Sequence, residues 1–285
     1  MPNPPLWKLS IVVKKTARPD VVAALEIIPP SPQAVLSQED PFRDDCVVEA
    51  LYDVMPDGDL IAKIVGHPVH VALLPDADWI RLSQEGLPPV RAGRFFIFGA
   101  HDQGQVPHGV IPIRIEAGLA FGTGHHETTA LCMAVLSDLA KTRRYRNVLD
   151  LGCGTGLLAI GAAKLWRRNV TASDIDPVAV DVTRENAVAN GEGPHVMALT
   201  ADGPTHPTLF ALAPFDLVLA NILAGPLTRL SPQICRVLAK AGTLVLSGLL
   251  HWQENEVLSY YRQQGLTLRR IRRDGSWSAL VLQKA

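Results

Sequence analysis

The residues best suited to hold a ligand form a glycine-rich segment that starts at Asp150 and reads Asp-Leu-Gly-Cys-Gly-Thr-Gly through Gly156. The segment follows an apolar run and precedes residues with helical periodicity, so we expect it to join a strand to a helix. Gly152 and Gly154 permit a tight turn and let a ligand lie against bare backbone. This context predicts a nucleotide-type site rather than an ordinary connecting turn.

The same spacing favours a cationic ligand over a phosphate. A dinucleotide fingerprint would place its third glycine at position 157, where the chain has Leu157, and the sequence contains no Gly-Lys-Ser or Gly-Lys-Thr of a P-loop. Asp150 would repel a pyrophosphate and attract positive charge. S-adenosylmethionine carries a sulfonium and an ammonium but no phosphate. We therefore predict it as the cofactor, with Asp150, Gly152 and Gly154 among the residues that bind it.

Two aspartates follow the next predicted strand. Asp174 lies 20 residues after Gly154, where an acidic residue normally accepts hydrogen bonds from ribose hydroxyls. Asp176 precedes Pro177 and is expected to cap a helix. The alternative is that both aspartates are caps or surface charges. Asp202, after the third strand, either faces an adenine amine or lies in solvent.

A polar residue, Asn221, ends another apolar run, at the edge where such sheets bind ligands. Methyl transfer needs a neutral amine whose lone pair points at the methyl group. An amide oxygen can accept an N–H of that amine without adding a charge that would keep the amine protonated. Asn221 is therefore the predicted catalytic residue; the alternative is a turn asparagine.

Upstream, residues 120–129 read AFGTGHHETT. The glycines would let this loop fold over the cofactor as a lid, and Thr128 or Thr129 is expected to cap the following helix. Adjacent histidines rarely bind one metal together, and no third ligand is evident, so we predict no metal site. His126 is expected to shape the acceptor pocket or relay a proton.

The elements that position these residues fall into two patterns. Residues 6–74 follow the order β-α-β-β-α-β of ferredoxin-like domains, with strands near 6–13, 34–38, 46–52 and 69–74 and helices near 18–28 and 57–65. Residues 83–94, with Gly and Pro-Pro, resemble a linker. We expect three regions: residues 1–80, a linker with two strand-like stretches over 81–114, and a catalytic domain over 115–285.

From residue 128 helices and strands alternate, which predicts a parallel sheet with helices on both faces. Asp274-Gly275 lies between two strand-like runs, a hairpin signal. The predicted fold is therefore α/β, with a seven-stranded doubly wound sheet that is parallel except for an antiparallel C-terminal hairpin. A small ferredoxin-like α+β domain precedes it. The expected helices include 226–240 and 252–264.

Composition excludes several functional classes. Twenty-seven Lys and Arg against 28 Asp and Glu leave a net charge of −1, so we expect no direct nucleic-acid binding. No apolar run reaches the roughly 18 residues that span a bilayer, and residues 1–10 lack a secretory signal. No Cys-x-x-Cys pair occurs, which indicates reduced thiols. We expect a cytoplasmic protein without a membrane partner.

Four segments in this order, AFGTGHHETT, VLDLGCGTG, SDIDPVAV and ANILAGPL, resemble the ribosomal protein L11 methyltransferases (PrmA family). The resemblance is close from about residue 115 to 249 and weak over residues 1–90. It implies S-adenosylmethionine contacts at Thr129, Gly152, Asp174 and Asn221, with Phe121 and Thr123 in a loop that covers the cofactor. The family usually has Thr-His-Pro where this chain has His125-His126-Glu127.

The resemblance also implies the substrate. In this family the small N-terminal domain, here residues 1–80, binds the ribosomal protein and presents several amines to the catalytic domain. We therefore expect an S-adenosylmethionine-dependent protein N-methyltransferase that acts on lysine amines, and also an N-terminal amine, of L11, free or on the large subunit. The alternatives are a methyltransferase for another protein or a small amine, and a non-catalytic binding module. Leu157 disfavours an NAD oxidoreductase.

Overall fold

The computed structural model of the 285-residue chain describes residues 6–30, 32, 34–39, 44–52, 54–74, 89–99, 106–115 and 127–285. It divides the chain into two compact units, Met1–Leu82 and Ser83–Ala285. Among the helices of these described ranges, none is long and apolar enough to cross a membrane.

The smaller unit is a four-stranded antiparallel sheet with two helices. Its strands are β1 (Leu6–Lys14), β2 (Ala34–Glu39), β3 (Asp45–Tyr52) and β4 (Val69–Leu74), in the order β2-β3-β1-β4, and its helices are α1 (Arg18–Ile27) and α2 (Gly58–Val65). In the central strand β1, Leu9, Ile11 and Val13 are buried, whereas Val12 is 61% exposed. This alternation is typical of a strand with one covered face.

The larger unit is built on a seven-stranded sheet in the order β10-β9-β8-β11-β12-β14-β13. The strands are β8 (Val148–Leu151), β9 (Val170–Asp174), β10 (Val196–Thr200), β11 (Phe215–Asn221), β12 (Leu238–Leu250), β13 (Leu266–Asp274) and β14 (Trp277–Lys284). Strands β8 to β12 pair in parallel, and β14 is antiparallel to both β12 and β13. The predicted α/β fold with a large mixed sheet is confirmed.

Helices cover both faces of this sheet. They are α3 (Glu127–Thr142), α4 (Leu157–Trp166), α5 (Pro177–Ala189), α6 (Pro207–Leu212), α7 (Ala224–Val237) and α8 (Glu254–Gln263), with a short 3-10 helix at His251–Gln253. Leu217 and Leu219 of β11 belong to an apolar core shared with α3 and α4, whereas Val218 and Ala220 belong to a core shared with α7 and α8. Successive strand residues point to opposite faces, so each face carries its own core.

The order of strands reverses at β8. Strands β9 and β10 lie on one side of β8, and β11 and β12 lie on the other. In open α/β sheets, ligands bind outside the carboxyl ends of the strands at such a reversal. Strands β8, β9 and β11 end at Leu151, Asp174 and Asn221. The fold therefore brings three of the segments singled out from the sequence to one edge.

Three short strands, β5 (Val90–Ala92), β6 (Phe95–Phe98) and β7 (Ile111–Arg114), form a separate sheet. Phe95 and Ile113 lie in the same apolar core as α3 and α4. The linker interpretation of residues 83–94 is therefore wrong for Val90–Ala92. A three-residue strand carries too little periodicity to outweigh the nearby Gly and Pro signals.

Two helices that flank β11 also differ from the sequence prediction. The helix predicted over residues 226–240 ends at Val237, because Leu238 already starts β12. Helix α6 was not predicted, since its six residues are too few to show a helical period. Neither difference moves a predicted site residue.

Candidate active site

Backbone hydrogen bonds hold the glycine loop against the end of β9. The N–H groups of Gly152 and Cys153 both donate to the Ser173 carbonyl, at 2.8 and 3.0 Å. Gly152, Gly154 and Gly156 have φ values of 74°, 54° and 79°, in the left-handed region that favours glycine. The loop turns directly from β8 into α4, and the predicted strand–turn–helix context is confirmed.

Packing also requires glycine at two of these positions. A Cβ atom on Gly152 would overlap Ile222 Cγ2, and one on Gly156 would lie 2.8 Å from Thr183 Cγ2. Bare backbone at Gly152 therefore lets the loop approach the residue that directly follows Asn221. The sequence interpretation, which considered a tight turn and ligand contact, did not include this close packing.

Two buried polar residues of α5 hold the carbonyl groups of the loop. Thr183 Oγ1 donates to the Gly154 carbonyl at 2.9 Å, and Asn186 Nδ2 donates to the Thr155 carbonyl at 2.9 Å. Thr183 and Asn186 are both nearly inaccessible to solvent. A polar pair three residues apart on a buried helix face was a usable signal that the sequence interpretation did not use.

Asp150 lies inside the protein. It is 1% exposed, and its Oδ2 accepts a hydrogen bond from Ala159 N in the first turn of α4, at 2.9 Å. Its Oδ1 is buried without a hydrogen-bond partner in the described part of the chain. Burial, and secondarily the charge of Asp174, raises the pKa of this carboxyl to about 7.

This position corrects the electrostatic picture of the loop. The sequence interpretation treated Asp150 as an ionised group that borders the ligand. Burial instead disfavours the ionised form, and the carboxyl supports the start of α4. Direct contact between Asp150 and the cofactor stays a prediction.

Asp174 is half-buried at the end of β9, directly beside the glycine loop. Its Oδ2 accepts from Gly154 N at 3.0 Å, and its Oδ1 accepts from Asp176 N at 3.1 Å. The predicted cap is confirmed at Asp176, whose Oδ1 accepts from Val178 N at 2.9 Å. Asp202 is exposed.

Asn221 and Thr129 meet although 92 residues separate them in the chain. Asn221 Nδ2 donates to Thr129 Oγ1 at 3.1 Å. The Asn221 Oδ1 atom is buried and has no hydrogen-bond partner among the described residues. Because a buried acceptor without a donor is unfavourable, this atom points to a group that a bound molecule would supply.

The capping prediction for Thr128 and Thr129 is wrong. Helix α3 starts at Glu127, so both threonines lie in its first turn instead of preceding it. Thr129 is 2% exposed, and its hydroxyl oxygen accepts the hydrogen bond from Asn221 Nδ2. The predicted lid residues Phe121 and Thr123 and the histidines His125 and His126 lie outside the described residues.

Within the described ranges, no group of three or more His, Cys, Asp or Glu side chains could hold a metal ion. The four cysteines are free and buried: Cys46, Cys132, Cys153 and Cys235. Burial raises the pKa of Cys132 to about 12, which keeps its thiol protonated.

The groups at this edge fit S-adenosylmethionine. The molecule offers donors on its ribose and its ammonium, and the edge offers acceptors in the Asp174 carboxylate and in Asn221 Oδ1. The open backbone of Gly154 and Gly152 follows β8, the strand that lies between β9 and β11 in the sheet. Ile175, 68% exposed beside Asp174, adds apolar surface at the same edge.

Comparison with known proteins agrees with this geometry. The family model of ribosomal protein L11 methyltransferase (PrmA) matches residues 7–285. A ribosomal protein L11 methyltransferase of Brucella suis is 48% identical over 210 residues, which cover 74% of each chain. One of Caulobacter sp. is 46% identical over 231 residues, covering 80% of this chain and 79% of the relative.

A solved structure is also similar to this chain. The crystal structure of ribosomal protein L11 methylase from Lactobacillus delbrueckii superposes with a TM-score of 0.63 at 29% identity and covers 70% of this chain and all of that one. Members of such families use S-adenosylmethionine as the methyl donor, and the predicted cofactor is confirmed. The chain belongs to the ribosomal protein L11 methyltransferase (PrmA) family.

Proposed function

We propose that this protein transfers methyl groups from S-adenosylmethionine to lysine ε-amines, and to the N-terminal α-amine, of ribosomal protein L11. The family supports this substrate. The structural observation that carries the proposal is the buried Asn221 Oδ1 at the carboxyl edge of the sheet, which accepts no hydrogen bond from the part of the chain that the structure describes. That atom suits the N–H of an acceptor amine.

Asn221 has the catalytic role in this proposal. Its Nδ2 is engaged by Thr129, which leaves Oδ1 to accept an N–H from the neutral amine and aim the nitrogen lone pair at the methyl carbon. S-adenosylmethionine supplies a methyl group activated by its sulfonium. The lone pair of the neutral amine would form the new N–C bond as the S–C bond breaks. S-adenosylhomocysteine would leave, and the resulting methylammonium would lose a proton to water.

No strong general base is required by this arrangement. We propose that the amine loses its proton to water before it docks, because Asn221 cannot remove one. The rate at subsaturating substrate should then rise about tenfold per pH unit well below the pKa of the amine. A rate that stays constant over that range would contradict the proposal.

We also assign the cofactor-binding residues to the carboxyl edge of the sheet. We propose that Gly152, Gly154 and Asp150 shape the loop on which the cofactor lies, and that Asp174 accepts the ribose hydroxyls. Thr129 and Asn221 would border the reacting end. By family resemblance, Phe121 and Thr123 would cover the cofactor.

We assign substrate recognition to the N-terminal unit, which we propose to be a ferredoxin-like domain over residues 1–80. Its helix α2 buries Ile61 but leaves Leu60 46% and Ile64 54% exposed on adjoining turns. Val54 and Met55, shortly before α2, are 59% and 61% exposed. An exposed apolar set of this kind is typical of protein-binding surfaces. The protein would act in the cytoplasm, on L11 that is free or on the large subunit.

Mass spectrometry of purified L11 after incubation with the protein and S-adenosylmethionine tests the proposal. We expect increments of whole methyl groups on lysines and on the N-terminus, and none with Asn221→Ala over the same time. Calorimetry should show binding of S-adenosylmethionine and none of NADH. Unmodified L11 together with methylation of another protein or a small amine would overturn the substrate assignment.

A further inference from the structure

Strand β12 carries a β-bulge next to the strand that ends at Asn221. It lies between β11 and β14 in the sheet. Leu246 and Leu249 of β12 are three residues apart, but their partners on β14 are only two residues apart. The two residues between them, Ser247 and Gly248, therefore form the bulge. A bulge bends its strand and redirects side chains, and such features are common next to active sites.

The side chain of Ser247 bridges two neighbouring elements. Ser247 is the register partner of Asn221, and it is inaccessible to solvent. Its hydroxyl oxygen lies 3.0 Å from the carbonyl oxygen of Ser278 on β14 and 3.4 Å from that of Thr128 on α3. Burial raises the pKa of Cys132, one turn further along α3, and a hydrogen bond with the Ser247 side chain partly offsets that rise. Ser247 therefore links β12 both to β14 and to the start of α3.

The β14 end of this bridge is held by a buried carboxylate. Ser278 is inaccessible to solvent, and its hydroxyl donates to the Glu254 carboxylate, which is 5% exposed. Arg273 donates to both oxygens of that carboxylate, each at 2.6 Å. Because its side chain is fixed, Ser278 offers the Ser247 hydroxyl an acceptor in a defined position.

The α3 end of the bridge adjoins the hydrogen bond that holds Asn221. Thr128 is followed by Thr129, whose hydroxyl accepts from Asn221 Nδ2 at 3.1 Å. Both threonines lie in the first turn of α3 and are buried. Close-packed interiors transmit displacements, so a shift of this turn would move the Thr129 hydroxyl and the Asn221 amide with it.

Gly248 supports the same residue from a second direction. Its φ is 80°, in the left-handed region that favours glycine. A Cβ atom at this position would overlap the carbonyl oxygen of Ile222 and lie 3.0 Å from its backbone nitrogen. Ile222 directly follows Asn221. Glycine therefore lets β12 approach the backbone that carries the Asn221 side chain.

We propose that the Ser247–Gly248 bulge positions the Asn221 amide for methyl transfer. Ser247 acts through the first turn of α3, and Gly248 acts through Ile222. The inference rests on the proposed function, in which Asn221 orients the acceptor amine. Both are positioning residues, because they act on Asn221 through other residues. A displacement of about 1 Å at a reacting group can lower a rate about 100-fold, so a small shift of the amide would be measurable.

A purely structural role for the bulge has different consequences. The bulge lies where the parallel strands meet the antiparallel hairpin, and it could serve only to join them. Loss of the Ser247 hydroxyl would then lower stability without changing the Asn221 amide or the turnover. The state of that amide therefore separates the two roles.

NMR of the full-length protein with ¹⁵N-labelled asparagine observes the Asn221 side-chain amide, and Asn221→Ala identifies its signal. Thr129→Val removes the acceptor and shows where the signal lies without that hydrogen bond. We expect Ser247→Ala to move the signal toward that position. Turnover on L11 should fall about tenfold, whereas the calorimetric Kd of S-adenosylmethionine should change less than about threefold.

Two matched variants control for loss of a buried hydroxyl and for left-handed backbone. Ser231 in α7 is 1% exposed, and its hydroxyl donates to the Thr228 carbonyl at 2.9 Å, so Ser231→Ala removes a similar hydrogen bond far along the chain from the bulge. Gly248→Ala should also move the Asn221 signal. Gly265→Ala has the same φ of 80°, but a Cβ there would meet no atom of the described residues within 4 Å. Ser231→Ala and Gly265→Ala should leave the signal and the turnover unchanged.

An unmoved Asn221 signal in Ser247→Ala would overturn the proposal, as would equal shifts in Ser247→Ala and Ser231→Ala. A Ser247→Ala variant that is less stable to urea but keeps full turnover would also contradict it. The NMR measurement needs no substrate. If the signal moves as expected but the wild type does not methylate L11, the proposed function fails while the positioning of Asn221 by the bulge stands.

Discussion

Replacing Asp150 by Asn should flatten the pH dependence of stability. The folded-state pKa of Asp150 is raised to about 7 from an ordinary value of 3.8, so the folded protein binds this proton more tightly than the unfolded chain does. The resulting stabilisation is complete below the unfolded pKa and is lost as the pH rises to the folded pKa. Each pH unit in that window removes about 1.4 kcal/mol.

Between about pH 5 and pH 8, this single group should lower the free energy of unfolding by about 3 kcal/mol in the wild type. The amide introduced by Asp150→Asn does not titrate, and its oxygen can still accept from Ala159 N. Urea unfolding of the cofactor-free protein at both pH values measures the difference. Asp181→Asn, which changes an exposed carboxylate, should behave like the wild type. Parallel wild-type and Asp150→Asn profiles would refute the buried, proton-binding Asp150 described here.

Three further predictions concern the site. Asn221→Ala should lower turnover roughly 100-fold or more but change the calorimetric affinity for S-adenosylmethionine less than about threefold, and equal losses would count against orientation of the amine. Gly152→Ala should lower the free energy of unfolding by about 2–4 kcal/mol, because it combines a left-handed φ with overlap at Ile222. The control is Gly191→Ala: Gly191 has a similar φ, but a Cβ there would meet no atom of the described residues within 4 Å, so urea titration should show the free energy of unfolding lowered by only about 1 kcal/mol. Equal losses in the two variants would contradict the close contact between Gly152 and Ile222. Asp174→Ala should raise the Kd of S-adenosylmethionine about 10–100-fold with little change in turnover at saturation, and an unchanged Kd would exclude the ribose contact.

The fold of the larger unit could be predicted from the sequence because most of its helices and strands are long and show clear hydrophobic periodicity. Helix α8, Glu254–Gln263, lies within residues 252–264, where the sequence predicts a helix. Strand β5, three residues long, and helix α6, six residues long, carry too little pattern to compete with neighbouring turn signals.

The sequence identified candidate site residues but did not show how their side chains are arranged. Spacing showed that Asp150 precedes the glycine loop, but not that its side chain enters the interior, because one residue at the end of a strand can face either side. The contact of Asn221 with Thr129 depends on how β11 packs against α3. The residues around either position do not predict that packing, because the two positions are 92 residues apart. Family resemblance named both residues without showing that they touch.

The most direct test of the account is a crystal structure of the protein with S-adenosylhomocysteine and a lysine-containing segment of L11. The distance to measure joins the lysine Nζ to Asn221 Oδ1. We predict about 3 Å, a hydrogen bond, with the sulfur on the opposite side of the nitrogen from Asn221. A lysine nitrogen more than about 4 Å from Oδ1, held instead by other groups, would contradict the claim that Asn221 orients the methyl acceptor.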